Sequence, residues 1–120
     1  MLKDKEKIFF LQYAKSSAEK QGSALGEGFV WPPVPVEEQD NVCAVLWEAN
    51  DGRLYAVFLI WKDRDENFRV RRMVFRSVAP INIKISSAKL VAEEILIEIE
   101  PPIGTFVHPL EDMKMKKLLS

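Results

Sequence analysis

Two apolar runs separated by four polar residues constrain this chain more than any other feature: Val42 to Ala49 and Leu54 to Trp61, flanking Asn50-Asp51-Gly52-Arg53. Both runs are rich in Val, Leu, Ile and aromatic residues and have the length of strands. Asp-Gly between them predicts a β-hairpin, since a type I′ turn needs positive φ at both central residues. With Asp51 and Gly52 at the centre, Trp47 faces Ala56, Val45 faces Phe58 and Ala44 faces Leu59. These pairings set large residues against small ones. A three-residue loop would shift the register by one. Neither run alternates, so both faces of each strand are apolar. Strands covered on both sides belong in the middle of a sheet. The hairpin from Asn41 to Lys62 therefore demands cover twice.

One source of cover precedes it. Asp4 to Gln21 is rich in Lys, Glu, Gln and Ala and free of Pro and Gly, which predicts a helix ending at Gly22. Asp4 suits its cap and Glu6 its first turn. Leu11, Ala14 and Ala18 form one stripe, widened by Phe10. Ile8 to Leu11, however, is apolar all round. Such a turn is either buried on several sides or shared with a partner chain. Residues 22–41 then form a Gly/Pro-rich strap, from Gly22, Gly26 and Gly28 through Trp31-Pro32-Pro33-Val34-Pro35. The expectation is a strap across the core, pinned by Phe29 and Trp31.

Beyond the hairpin, Phe68 to Val78 predicts a third strand, with a bulge at Arg71-Arg72 to restore alternation. Ile81 to Ile85 alternates as a one-faced strand. Ser86 or Ser87 suits the cap of a short second helix over Ala88 to Glu93. Glu94 to Glu100 alternates again, with Ile95, Ile97 and Ile99 on one face. The stretch from Ala88 to Glu100 also fits one helix, but its β-branched residues favour a final strand. A tail helix is expected over 110–119, with Leu110, Met113 and Leu118 along one side. The fold expected is α+β: an N-terminal helix packed on an antiparallel four- or five-stranded sheet, with a short second helix and a C-terminal tail helix. Its length suits one domain over residues 1–120. The element order resembles that of small acidic secretion chaperones and other dimeric helper proteins. No motif accompanies that likeness, so it assigns no family.

Charge and cysteine usage narrow the function classes. With 17 Lys and Arg against 18 Asp and Glu, the net charge of −1 argues against a general electrostatic grip on nucleic acid or anionic lipid. Only a local patch could supply one. No apolar stretch approaches the ~20 residues that span a bilayer, and the apolar run after the basic start is too short for a signal peptide. One cysteine, Cys43, forms no internal disulfide, which points to a reducing cytoplasm.

The residues of catalysis are sparse. Cys43 and His108 are the only thiol and imidazole, and Cys43 sits among apolar neighbours that would stabilise a thiolate poorly. One Cys and one His fall short of a zinc site. Asp63, Asp65 and Glu66, with Glu48 and Asp51, offer carboxylates near the hairpin loops, as a Mg²⁺ site requires. Nucleases of the PD-(D/E)xK class carry Glu-x-Lys on the following strand, where this chain has Arg69-Val70-Arg71. No phosphate-binding glycine loop is present. No catalytic residue, metal site or cofactor is assigned.

Two surfaces remain. Phe68 to Arg76 concentrates Arg69, Arg71, Arg72 and Arg76 among aromatic and apolar residues. Arginines beside exposed aromatics bind nucleic acid by phosphate pairing and base stacking. Alternatively, they pair across strands with Glu94, Glu98 and Glu100. The second surface is the apolar surplus: the two-faced hairpin, Ile8 to Leu11, Trp31 beside the strap, and the Met/Leu tail. Exposed apolar patches mark interfaces. The leading expectation is a non-enzymatic accessory or binding module that acts by protein–protein contact as a homodimer. Its interface would be the sheet face opposite the helix, or the helix itself. The alternative is a nucleic-acid-binding module using Arg69, Arg71, Arg72 and Arg76 with Phe68. A small metal-dependent enzyme ranks third.

Overall fold

The structure, a computed structural model, describes residues 4–37, 39–77, 82–100 and 105–109, the last stretch and Asp40 by backbone only. It opens with helix α1 (Asp4–Ser23), which buries Phe10, Ala14, Ala18 and Gly22. These lie four residues apart, on one narrow stripe. Three of the four are the smallest residues available, so the helix axis comes close to the sheet. Gly22 does not stop the helix. It lies within α1, and a Cβ there would run into the indole of Trp47. The chain instead leaves α1 through Leu25, whose N–H donates to Gly22 O at 2.8 Å, and turns at Gly26 with φ 136°.

The strap contributes strands β1 (Gly28–Val30) and β2 (Val34–Val36), which pair with different parts of the long β3 (Gln39–Ala49). Its pins are Val30 and Val36, 7% and 2% exposed; Phe29 and Trp31, expected to anchor it, are 54% and 40% exposed. After β3 come β4 (Leu54–Lys62) and β5 (Phe68–Arg76), giving an antiparallel sheet of order β1-β3-β4-β5 with β2 also on β3. The hairpin keeps the expected register: Trp47 opposite Ala56, Val45 opposite Phe58, Ala44 opposite Leu59.

Its turn differs from the type I′ expected. Only Gly52 takes positive φ, at 68°. Its N–H donates to Ala49 O at 2.9 Å, while Asp51 Oδ1 accepts the Arg53 N–H at 3.0 Å. The Tyr55 hydroxyl closes the turn by donating to Gly52 O. The β4–β5 turn follows the same plan: Glu66 N–H donates to Asp63 O at 3.1 Å, and Glu66 takes the left-handed position at φ 65°.

The C-terminal part corrects the expectation most. Residues 88–93 are not a helix. They belong to β6 (Lys84–Val91) and a turn at Ala92-Glu93 leading into β7 (Glu94–Glu100). Both turn residues have positive φ, 50° and 67°, so the two-residue hairpin loop sits here instead of at Asp51-Gly52. Ser86 and Ser87 cap nothing. They accompany a register shift in β6 and donate to Glu98 O at 3.1 Å and Glu98 Oε2 at 3.2 Å. With β8 (Thr105–Pro109), these strands form a second antiparallel sheet of order β6-β7-β8. The tail helix expected over 110–119 lies outside the described residues.

The two faces of β3 and β4 are thus covered from within the chain. On one, Phe10, Ala14 and Ala18 of α1 pack with Val45, Trp47, Phe58 and Ile60. On the other, Ile95, Ile97 and Ile99 of β7 and Ala88 of β6 pack with Leu46, Tyr55, Val57 and Leu59, helped by Val36. The layers run helix, sheet, sheet. Among the described residues, no helix is long and apolar enough to cross a membrane.

Candidate functional site

The register of β5 against β4 decides how its arginines can act. It runs without interruption from Leu54 opposite Arg76 to Lys62 opposite Phe68, so the bulge expected at Arg71-Arg72 is not formed. Directly opposite residues share a face. Arg72 and Arg76, opposite Phe58 and Leu54, therefore lie on the α1 side with Val70 and Phe68, which pack against that core. Arg69 and Arg71 lie on the second-sheet side with Met73 and Phe75. Four arginines that read as one basic surface are two pairs on opposite faces.

Arg69 is further committed. Its Nε donates to Asp63 Oδ2 at 2.9 Å, while Asp63 Oδ1 accepts the N–H groups of Asp65 and Asn67 at 2.9 and 3.0 Å. The Arg69 hydrogen bond, with that from Asn67, holds the Asp63 carboxyl below the usual carboxylate range. Asp63, buried at the β4–β5 turn, is thus a loop anchor with its oxygens spent. Among the described residues, no three His, Cys, Asp or Glu side chains group to hold a metal. The ion pairs expected between β5 and Glu94, Glu98 or Glu100 do not form as a ladder, because β5 and β7 belong to different sheets. Glu100 instead faces Lys84 within the second sheet, at 3.6 Å.

Trp31 stands at the other edge of the first sheet, just beyond β1, and the structure does not bring it to the arginines. It meets Phe29 edge-on, ring centroids 5.2 Å apart, and its Nε1 donates to Glu48 Oε1 at 3.0 Å. A cleft of about 750 Å³ lies nearby, between the end of α1 and β1. Its only hydroxyl, Ser23 Oγ, donates to Lys20 O at 2.7 Å, and no His or Cys lines it. Cys43 is fully buried, and burial pushes its thiol up to about 12, so it stays protonated at neutral pH.

The outer face of α1 carries a surface that the sequence marked only by its apolar turn. Of Ile8 to Leu11, Phe10 alone is buried; Ile8 and Phe9 are 58% and 61% exposed. Tyr13, one turn on, stacks on Phe68 at the start of β5, centroids 3.9 Å apart. Lys62 Nζ lies 5.7 Å from the Phe68 ring and pairs with Glu66 at 2.9 Å. Phe9, Tyr13 and Phe68 make an apolar strip with charges of both signs beside it, from Lys5 and Glu6 to Lys62 and Glu66, while Ile8 stands exposed farther round the helix. Phe68 is the one residue of the sequence-derived set that joins this strip. Comparison with known protein families, with curated proteins and with solved structures finds no match to this chain.

Proposed function

We propose that this protein is a non-enzymatic binding module that pairs with a second copy of itself through the outer face of α1 and the Phe68 end of β5. The sheet face opposite α1, the other surface considered, is occupied by β6 and β7. What carries the proposal is the exposure of Ile8 and Phe9 on a helix whose remaining apolar stripe is buried. Charge supports a second copy as the occupant. A patch bordered by both lysines and glutamates is self-complementary across a two-fold axis, where one protomer's Lys5 can meet its partner's Glu6. The cytoplasm is the compartment proposed, which suits a buried, unpaired Cys43. The nucleic-acid alternative is not adopted, because the β5 arginines divide between two faces and Arg69 is tied to Asp63.

Light scattering over a concentration series tests this. The wild type should move from the chain mass to twice that mass as concentration rises. Phe9→Glu should weaken the association by about thirtyfold or more, the scale of a central interface residue. Val91→Glu, at an exposed apolar residue on β6, should associate like the wild type. A wild type that stays monomeric at the highest attainable concentration, or a Phe9→Glu variant that dimerises equally well, contradicts the proposal.

A further inference from the structure

Among the described residues β5 pairs on one side only, with β4. The ends of that pairing show which of its backbone groups are left over. Asp63 N–H donates to Asn67 O at 2.9 Å, and Ser77 N–H donates to Arg53 O at 2.8 Å. Both pairs continue the β4–β5 register. Bonded and non-bonded pairs alternate along an antiparallel ladder, so the odd-numbered residues of β5 bond to β4. The N–H and C=O groups of Phe68, Val70, Arg72, Val74 and Arg76 therefore point outward along an edge that no other described strand pairs.

The side chains of those same residues face the α1 side. α1 packs chiefly on β3, and the far half of this strip stays open. Val74 is 43% exposed, and Arg72 and Arg76 are exposed. Among the described residues neither arginine meets a carboxylate. The strip thus offers, at two-residue spacing, a cation, an apolar side chain and a second cation, together with backbone groups that no other described strand pairs.

We propose that this edge takes up an extended acidic segment of another protein as an added strand. Carboxylates two residues either side of an apolar residue would face Arg72 and Arg76, with the apolar residue against Val74. Backbone hydrogen bonds give such strand addition its affinity, and alternate side chains give its specificity. A second β5 is a poor occupant, because it would set arginine strips together and like charges across strands repel. This goes beyond the self-association above and does not depend on it.

The test titrates the full chain against a labelled, end-blocked peptide, Glu-Thr-Val-Thr-Glu-Thr-Val, at low salt. Companion probes are the same peptide with Lys for Glu, the Glu peptide N-methylated at alternate residues, and a short oligothymidylate. The Glu peptide should bind, and the Lys and N-methylated peptides at least about tenfold more weakly. Arg72→Ala with Arg76→Ala should weaken the Glu peptide by a similar factor. Val74→Pro, which removes an outward N–H and no bond to β4, should do likewise with the fold retained. Equal binding of the Lys or N-methylated peptide overturns the proposal. So does tighter binding of the oligonucleotide, which would assign the arginines to nucleic acid. No binding of any probe also overturns it, leaving the arginines as charges that keep the edge unpaired.

Discussion

Ile97→Ala is expected to destabilise the protein by about 2–5 kcal/mol, the cost of truncating a large aliphatic side chain in a packed core. Ile97 is 1% exposed, and it sits between Ile95 and Ile99 on the inner face of β7. That face packs on Leu46, Val57 and Leu59 of the central hairpin. A β7 strand on the rim, with a partner chain covering the hairpin instead, would make the same substitution nearly neutral. Urea unfolding followed by circular dichroism is the readout, with an unchanged m value as the check on the unfolded state. Leu96→Ala, on the other face of β7 and only half-buried, should cost clearly less.

Trp47→Ala should cost about 3–5 kcal/mol by the same measurement. Trp47 is among the largest fully buried side chains, 2% exposed. Two glycines are shaped to it: a Cβ at Gly22 or at Gly28 would collide with the indole. One lies on α1 and the other on β1, so the ring joins the helix, the strap and β3. Neither glycine can fill the void that alanine would leave, which places the expected loss at the upper end of the range. Trp31→Ala is the contrast. Trp31 is 40% exposed and holds an edge-on contact with Phe29 and a bond to Glu48, so roughly 1 kcal/mol is expected.

The hairpin was legible because its demands were global. Sixteen apolar-rich residues around Asp-Gly leave few registers, and the two-faced pattern requires two layers of cover. The turn itself was less legible, since Asp51 can serve a turn through its carboxylate as well as through positive φ. The loop that does place both residues at positive φ, Ala92-Glu93, has neither Asn nor Gly to announce it. Ala88 to Glu93 has the composition of a helix; pairing with β7 overrides that weak local preference.

The candidate site was legible in composition and illegible in geometry. An arginine-rich strand is plain from Arg69, Arg71, Arg72 and Arg76. Whether they form one surface hangs on a single residue of bulge, because a one-residue slip moves side chains to the other face. The acidic cluster was visible too, but nothing in Asp63-Arg64-Asp65 says that Asp63 folds inward to hold its own loop and Arg69. Ile8 to Leu11 posed a choice between burial on several sides and a shared partner; in the structure Phe10 is buried while Ile8 and Phe9 are exposed, so the turn is not buried on several sides.

β6 and β7 cover the hairpin on the face opposite α1, and the cores on its two faces are expected to unfold as one cooperative unit. Cys43 reports on it directly. It is the only thiol, fully buried, on the α1 side of the sheet, and Ile97 packs on the opposite side. Labelling of Cys43 by a thiol reagent under native conditions then proceeds through unfolding of the whole core. Ile97→Ala should accelerate that labelling by roughly thirtyfold to a few thousandfold, the equivalent of its 2–5 kcal/mol. A Cys43 labelling rate that is indifferent to Ile97→Ala would contradict the account.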